Sequence, residues 1–496
     1  MSPGSAAGEA PADLLGSPQA GPAASRGGAL RVGGYTAGAL VSAISAALLF
    51  RHLGVIDTGR YVTAVSLVAL VGALSDLGLT AVGVREISLR PEAERWTLAR
   101  ELLGLRIVLT LVGGAVITAI TAVVYSPTLA AGVALAGVGL LLQAAQDNFA
   151  IPLIVDLRLG WVAVFDLLRQ VLTTIAILLL VLLGARLLPF LAVSIPVGVI
   201  VLVATIHVVR GRRSLMPSFN LRRWGMLMSA ILPYSAAVAA SALYFRVAII
   251  LVSVLSTATQ LGYFSASFRI VEVLTVVPGL LASSAFPIFA RAAHDDHERL
   301  GYAISRVFEV ALIVGVCLAV LIAVGAPLAI EIIGGARFRP AVPVLQIQGI
   351  AVGAMFVSAV WANGLLGLGV YRQILILNAA FLIINAAVVA PLVSLDGARG
   401  AAIGTAATEV IFAVANALLV VRGRPHLRPS LRVLPRVALA AALGLTPLAM
   451  AGVPVILRLA ISMTLFGATL LLSGALPPEA LALLPGSLSR MKLMSR

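Results

Sequence analysis

Charged residues are scarce in this sequence. Only 11% of its 496 residues are charged, whereas soluble domains carry about 25%. Hydrophobic residues make up 60% of the chain, and the mean hydropathy is +1.08. The apolar residues form runs of about twenty, without the alternation of a β-barrel strand. These features exclude a soluble domain and predict an all-α polytopic membrane protein.

Cysteine is nearly absent as well. The single cysteine, Cys317, excludes both a disulfide within the chain and a cysteine metal cluster. The sequence contains no P-loop motif, which argues against ATP hydrolysis. The histidines His294 and His297 lie with two aspartates in a polar segment that is better interpreted as a solvated loop than as a metal site. We therefore expect no cofactor, no metal and no catalytic residue.

Acidic residues are outnumbered by basic ones. Lys and Arg total 35 against 20 Asp and Glu, which gives a formal net charge of +15. The basic residues lie in short connections between apolar runs, as in cytoplasmic loops that face anionic lipid. The expected contacts are thus membrane lipids, and we expect no nucleic acid.

Hydropathy predicts about fourteen membrane spans. The apolar windows fall at about 32–52, 61–84, 102–124, 128–151, 161–183, 187–209, 226–254, 263–289, 304–331, 343–368, 372–394, 398–421, 435–452 and 454–474.

Arginine placement predicts the orientation of these spans. The basic connections 85–101, 210–225, 290–303 and 422–434 all lie on one side if the spans alternate. The excess of arginine on that side is typical of cytoplasmic loops, so we expect a multi-pass protein of the cytoplasmic membrane with both termini in the cytoplasm. Residues 1–30, rich in Pro, Gly, Ala and Ser, are predicted to be a disordered cytoplasmic tail. Residues 475–496 are predicted to form a second cytoplasmic tail.

The longest basic connection predicts two lobes. Residues 210–225 follow six spans and precede six more, so we expect an N-terminal lobe at 31–209, a basic inter-lobe linker and a C-terminal lobe at 226–421. Residues 422–474 then form a basic loop and two appended helices. Gly59–Tyr61 opens the second span as Gly262–Tyr263 opens the eighth. Six spans per lobe would relate the lobes by a pseudo-two-fold axis along the membrane normal.

Two arginines lie at membrane depth. Arg246 falls in the seventh predicted span and Arg269 in the eighth. A charge in hydrocarbon costs about 2.5–3.5 kcal/mol, so it normally faces a partner, a wet cavity or a pathway. We expect both guanidinium groups to line a basic central cavity, where they would bind an anion through bidentate hydrogen bonds. The alternative is that Arg269 pairs with Glu272 at i, i+3 while Arg246 reaches toward the outer interface.

Intramembrane acids are candidate counter-ions or coupling groups. Asp76 is expected within the second span, nearer its outer end, either as such a group or as a cap on a helix broken beside Gly78. Glu272 is expected to be a proton or ion site, or else a fixed partner of Arg269.

Amide side chains are candidate sugar contacts. Gln143 and Asn148 belong to a polar cluster, with Gln146 and Asp147, near the cytoplasmic end of the fourth span. They would receive a sugar head group, or would simply lie in interfacial water. Asn378 and Asn385 lie seven residues apart on one face of the eleventh span, where they would contact sugar or join helices by hydrogen bonds.

Four stretches carry a family resemblance. They are FRHLGVIDTGRYVTAVSLVALVGALSDLGLTAVGVREI (50–87), LGYFSASFRIVEVLTVVPGLLASSAFPIFAR (261–291), GGARFRPAVPVLQIQGIA (334–351) and LDGARGAAIGTAATE (395–409). Together they resemble the oligosaccharide (Wzx-type) flippases of polysaccharide biosynthesis, relatives of the MATE exporters in the MOP superfamily. Two departures are Phe338, where tyrosine is usual, and Val247–Ala248, where the family often has an acid two residues after the arginine.

The resemblance implies a transporter rather than an enzyme. It implies a flippase that moves polyprenyl-diphosphate-linked oligosaccharide to the outer leaflet by alternating access, with glycosyltransferases or a polysaccharide polymerase as further partners. The first alternative is a MATE-type multidrug or organic-cation exporter, which would need an acidic cavity. A second is a membrane glycosyltransferase or polymerase acting on prenyl-linked sugars, which would need an acidic catalytic pair or a large outer loop.

Overall fold

The computed structural model describes residues 20–76, 78–89, 92–156, 158–209, 216–275, 297–368, 370–422, 424, 427–450 and 452–475. These residues are almost wholly helical, and no strand occurs among them, which confirms the predicted all-α class. The tail 1–19, part of the linker (210–215), the segment 276–296 and the tail 476–496 lie outside the described residues. Helix α1 begins at Ala20, within the segment that the composition predicted to be a disordered tail.

The helices follow the predicted spans closely. They are α1 (Ala20–Asp76), α2 (Leu79–Leu89), α3 (Glu92–Val124), α4 (Pro127–Val155), α5 (Leu159–Leu182), α6 (Leu187–Ala192), α7 (Ser194–Val209), α8 (Leu221–Leu255), α9 (Ala258–Leu274), α10 (His297–Gly334), α11 (Val342–Gly367), α12 (Tyr371–Arg422), α13 (Val433–Leu445) and α14 (Val455–Ser473). The 3-10 turns Ala336–Ala341 and Thr446–Ala449 complete the set.

Two of these helices are hairpins that each contain two predicted spans. Helix α1 turns at Gly54, whose φ is 72°, and α12 turns at Asp396–Gly397, where Gly397 has a φ of 52°. Positive φ is accessible to glycine without a Cβ clash. In α12 a Cβ on Gly400 would lie 1.8 Å from the carbonyl oxygen of Leu392, so the two limbs run side by side.

The number of spans follows from these hairpins. Nine helices of the described ranges are long and apolar enough to cross a membrane, and two shorter apolar helices, Ala239–Leu255 and Val433–Ala449, accompany them. In α1 and in α12 the apolar stretch continues through the turn, so each of these helices counts once although it covers parts of two predicted spans. The eighth predicted span is described only as far as Thr275. The total of fourteen and the pseudo-symmetry therefore stay predictions.

The appended helices belong to the C-terminal half of the structure. Helices α13 and α14 pack on each other and on α10. Buried residues of α13 and α14 belong to the same core cluster as Phe308 of α10 and Phe356 and Trp361 of α11. The indole of Trp361 stacks at a tilt on Phe308, with ring centroids 5.4 Å apart.

The turn of α1 contacts the C-terminal lobe. A Cβ on Gly262, near the start of α9, would lie 2.1 Å from the carbonyl oxygen of Val55. Gly59 approaches the same place, because a Cβ there would lie 3.0 Å from the amide nitrogen of Gly262. The two copies of the Gly–Tyr motif therefore meet, and they meet where α1 turns. Nearby, the guanidinium of Arg51 donates to the carbonyl oxygen of Glu331 at 2.8 Å.

Replacing Gly262 with alanine should destabilise the protein. The new methyl group would overlap the Val55 carbonyl, and overpacking of this kind costs about 1–3 kcal/mol. The matched control is Gly137→Ala in α4, where a Cβ meets nothing within 4 Å. That change should be neutral or stabilising by about 0.5–1 kcal/mol, because alanine favours the helix. Thermal unfolding of the detergent-solubilised variants compares the two, and equal unfolding temperatures would contradict the close inter-lobe contact.

Candidate functional site: two joined cavities

The smaller of two neighbouring cavities lies between α1 and α5 on one side and α8 and α9 on the other. We call it the arginine cavity, and its volume is about 180 Å³. Helix α8 contributes Arg246 and α9 contributes Arg269 and Glu272, while both limbs of α1 and part of α5 form the opposite wall. The lining residues are Ser42, Ser45, Ala46, Leu49, Phe50, Tyr61, Val62, Val65, Gln170, Thr173, Ile177, Arg246, Phe268, Arg269 and Glu272.

A helical hairpin brings the charged residues of this cavity to one depth. Helix α8 ends at Leu255 and α9 begins at Ala258, with Thr257 capping α9 by accepting the amide of Gln260 at 3.3 Å. At 1.5 Å per residue, Arg246 and Arg269 both lie roughly 14–17 Å from the turn along their helices. Two arginines that are distant in the sequence therefore become neighbours.

Glu272 lies between the two arginines. Its Oε1 accepts from Nη2 of Arg246 at 2.7 Å, and its Oε2 accepts from Nη1 of Arg269 at 2.5 Å. The three side chains are between 17% and 31% exposed, so they are largely shielded but line the cavity. One carboxylate thus holds two guanidinium groups, and the group as a whole keeps one net positive charge.

Each arginine also contacts α1 in the other lobe. Nη1 of Arg246 donates to the hydroxyl of Ser66 at 3.2 Å, and Nη2 of Arg269 donates to the hydroxyl of Ser42. The Arg246 guanidinium also lies 5.8 Å from the ring centroid of Phe268. Arg246 therefore points into the protein and does not reach toward the outer interface. Arg269 combines both expected arrangements, because it pairs with Glu272 and lines the cavity.

In the ranges described above, the larger cavity is lined only by residues between Tyr61 and Ser194. We call it the aspartate cavity, and its volume is about 730 Å³. It shares Tyr61, Val65 and Thr173 with the arginine cavity, so the two adjoin. Its polar lining residues are Tyr61, Ser75, Asp76, Thr80, Arg106, Gln143, Gln146, Asp147, Asp166, Thr173 and Ser194. Three of these residues are acidic and one is basic, in contrast to the arginine cavity.

Asp76 contributes to the aspartate cavity from a break in the chain. Helix α1 ends at Asp76, Gly78 has a φ of 76°, and α2 begins at Leu79. The Asp76 carboxylate accepts from Arg106 and, at 2.7 Å, from the hydroxyl of Thr80. The expected broken helix is therefore present. Asp76 lies at the end of α1 that leads through α2 toward the basic connection 85–101, and which side of the membrane that end faces stays a prediction.

Arg106 is the basic residue of this cavity and is almost fully buried. The residue is 5% exposed, and its Nη2 donates to Asp76. Its Nη1 has no hydrogen-bond partner within the ranges that the structure describes. Buried polar groups are normally satisfied, so this donor is available to a ligand in the cavity.

The predicted polar cluster of α4 divides between the cavity and the helix packing. Gln143, Gln146 and Asp147 line the aspartate cavity. Arg169 of α5 donates to Gln146 and lies 3.9 Å from Asp147. Asn148 faces another direction, since its amide donates to the carbonyl oxygen of Ala99 in α3 at 3.1 Å.

The two asparagines of α12 lie outside the lining of both cavities. Asn385 is 1% exposed and lies beside Tyr244 of α8, whose hydroxyl donates to Glu409 at 2.8 Å. This buried group joins α8 to α12, which fits the alternative that these amides hold helices together. Asn378 is partly buried on the same limb of α12.

Sequence reasoning missed the charged residues Arg106, Asp166 and Arg169. All three lie within predicted spans, so the rule that identified Arg246 applies to them too. Arg106 and Asp166 fall near the ends of their predicted spans, where charged side chains usually reach the interface, but Arg169 lies as deep in its span as Arg246 does. Among the described residues, no group of three or more His, Cys, Asp or Glu side chains is placed to hold a metal ion.

Solved structures with the same fold are transporters of one superfamily. The lipid II flippase MurJ, in an inward closed conformation, aligns with a TM-score of 0.74 at 12% identity, over 89% of this chain and 97% of MurJ. An inward-facing MATE multidrug transporter aligns with a TM-score of 0.65 at 13% identity, over 80% of this chain and 97% of that one. A MOP-superfamily transporter from Pyrococcus furiosus is described as having a binding pocket of reverse polarity. It aligns with a TM-score of 0.57 at 16% identity, over 82% of this chain and 95% of that one.

Similarity at the sequence level is confined to a family model. No curated protein matches the chain. The model described as "Polysaccharide biosynthesis protein" matches residues 48–343, which is more than half of the chain and includes Asp76, Arg246, Arg269 and Glu272. The chain therefore belongs to this polysaccharide biosynthesis family, and it has the fold of MurJ and of the MATE transporters.

Proposed function

We propose that this protein is a flippase that carries polyprenyl-diphosphate-linked oligosaccharide across the cytoplasmic membrane for cell-surface polysaccharide biosynthesis. The observation that carries the proposal is the arrangement of Arg246 and Arg269, which face one cavity between the lobes and lie on either side of a single carboxylate. Family membership and the MurJ-like fold support a lipid-linked substrate.

The arginine cavity suits a diphosphate. Guanidinium groups bind phosphate oxygens through paired, charge-assisted hydrogen bonds. Glu272 occupies that position in the structure, and its two oxygens contact the two arginines as the oxygens of one phosphate would. In the proposed cycle the diphosphate replaces Glu272, while the prenyl tail stays in the bilayer and the sugar enters the adjoining aspartate cavity.

Rocking of the two lobes would then expose the sugar on the other side. The close contact of Gly59 with Gly262 and of Gly262 with Val55 closes the end of the inter-lobe space at which α1 turns. The hydrogen bonds from Arg246 to Ser66 and from Arg269 to Ser42 cross the same interface. A substrate that rearranges the arginines therefore also weakens the inter-lobe contact, as alternating access requires. Both termini would be cytoplasmic, with glycosyltransferases or a polymerase supplying and using the glycan.

Removing the charge of Arg269 should stop glycan export. Arg269→Gln is expected to lower export at least about tenfold, because a charge-assisted contact to phosphate is worth about 1.5–3 kcal/mol. The matched control is Arg306→Gln in α10, since Arg306 pairs with Glu309 at the same i, i+3 spacing but lines neither cavity. Export is measured as surface glycan in a strain that depends on this protein, with immunoblotting of protein in the membrane. Full export by Arg269→Gln would remove this residue from the mechanism.

Removing the charge of Glu272 should tighten diphosphate binding. Glu272→Gln leaves two net positive charges in place of one, so farnesyl diphosphate should bind the purified protein about tenfold more tightly, equivalent to about 1.4 kcal/mol. Glu309→Gln is the control, because it neutralises an acid of similar exposure paired with Arg306 outside both cavities. Calorimetric titration measures the affinities, and unchanged or weaker binding by Glu272→Gln would show that Glu272 does not compete with phosphate.

One observation favours a second function, a MATE-type export of organic cations. The aspartate cavity is lined by Asp76, Asp147 and Asp166, and an acidic cavity is what a cation exporter needs. A cation in this cavity would, however, lie next to the net positive arginine cavity. A flippase substrate would place its diphosphate in the arginine cavity and its sugar hydroxyl groups in the aspartate cavity. The flippase function therefore accounts for the charges of both cavities.

Ethidium accumulation separates these two functions. Cells that express the protein should accumulate ethidium at the same rate as cells that carry an empty vector. Asp147→Asn should leave that rate unchanged. Efflux in the wild type that Asp147→Asn abolishes would favour the exporter.

A further inference from the structure

We propose that the aspartate cavity binds the first sugar units of the lipid-linked glycan and selects neutral or amino sugars over acidic ones. The inference rests on the proposed flippase function and adds to it the chemical class of the cargo.

The position of the cavity fits the sugar next to a diphosphate. The aspartate and arginine cavities adjoin at Tyr61, Val65 and Thr173. In a lipid-linked sugar the diphosphate is bonded directly to the first sugar ring. A diphosphate bound between Arg246 and Arg269 therefore has its sugar beside this shared wall. The arginine cavity, at about 180 Å³, has little room beyond the diphosphate, whereas the aspartate cavity, at about 730 Å³, is of the size that holds small ligands.

The side chains of this cavity suit hydroxyl groups. Asp76, Asp147 and Asp166 provide carboxylate acceptors, and Gln143 adds both an acceptor and two donors. Arg106 is a second, independent sign of a ligand, because it is 95% buried and lines the cavity with Nη1 lacking a hydrogen-bond partner in the described part of the chain. A sugar hydroxyl or ring oxygen would accept from this nitrogen, while neighbouring hydroxyls would donate to the carboxylates.

The charges of the cavity define which sugars fit. Asp76, Asp147 and Asp166 line the cavity together with one arginine, Arg106, and Arg169 lies 3.9 Å from Asp147. The group therefore contains three carboxyl groups and two guanidinium groups. Both arginines already contact acids or amides here, since Arg106 contacts Asp76 and Arg169 contacts Gln146.

A sugar carboxylate would meet like charge in this cavity. Charge–charge interactions are stronger in a site shielded from bulk water, so one extra negative charge is disfavoured. A neutral sugar avoids this repulsion, and the ammonium group of an amino sugar gains carboxylate acceptors. The structure thus assigns anion binding to one cavity and anion rejection to the other.

Binding of three synthetic ligands tests the inference. Farnesyl diphosphate linked to N-acetylglucosamine, to glucosamine and to glucuronic acid is titrated into the full-length protein in lipid nanodiscs. The glucuronic acid ligand should bind at least about tenfold more weakly than the other two, the size of difference that about 1.4 kcal/mol produces. Asp147→Asn and Asp166→Asn should each narrow this ratio severalfold. Asp57→Asn should preserve it, because Asp57 pairs with Arg60 outside both cavities.

The outcomes separate the inference from the proposed function. Wild-type protein that binds all three ligands within twofold of one another would overturn the charge selection and leave the flippase intact. If Asp147→Asn and Asp166→Asn both leave the affinity ratio between the glucuronic acid ligand and the other two ligands unchanged, the assignment of the selection to this cavity is overturned. If the wild type binds neither farnesyl diphosphate nor any linked sugar, the proposed function fails and the inference fails with it. The wild-type ratio needs no variant, so an unstable variant does not prevent the test.

Discussion

The interior of this protein is governed by one constraint: a charged side chain at membrane depth needs a partner of opposite charge. A lone charge at the centre of a span costs about 2.5–3.5 kcal/mol. Glu272 meets this requirement for Arg246 and Arg269 together, with one oxygen 2.7 Å and the other 2.5 Å from a guanidinium nitrogen. Asp76 does the same for Arg106 in the N-terminal lobe. These pairs fix which helix faces turn inward, and the two cavities lie where those faces meet.

Glycine allows the helices to bring such pairs together. Lipid tails provide no hydrophobic force between helices, so close packing of small residues supplies much of the association. A Cβ on Gly262 would lie 2.1 Å from Val55, and one on Gly139 would lie 2.1 Å from the hydroxyl of Ser194 beside the aspartate cavity. At these two points glycine therefore serves close contact between helices rather than flexibility.

Hydropathy predicts the helices because each apolar run is long enough to cross a membrane, and the breaks between its windows, 53–60 and 395–397, contain the glycines at which α1 and α12 turn. The cost of an intramembrane charge likewise identifies Arg246 and Arg269, and helical spacing predicts the pairing of Arg269 with Glu272. The contact of Arg246 with Glu272 was beyond prediction, since it depends on how α8 and α9 are rotated against each other. Arg106 could not be predicted as a cavity residue, because from the sequence alone an arginine near a span end is expected to reach the membrane interface.

The shared carboxylate also bears on how a carrier returns without cargo. In the proposed cycle the empty protein must reorient with Arg246 and Arg269 inside the membrane, and leaving either buried charge unpaired would cost about 3–5 kcal/mol. Glu272 removes that barrier by neutralising one of the two charges and hydrogen-bonding to both arginines. All three side chains lie on the hairpin of α8 and α9, so this pairing can move as a unit. The contacts to Ser42 and Ser66 lie on α1 instead, so reorientation breaks neutral hydrogen bonds and keeps the ion pairs. In the proposed cycle both guanidinium groups then keep an anionic hydrogen-bond partner in either state, phosphate in the loaded protein and Glu272 in the empty one.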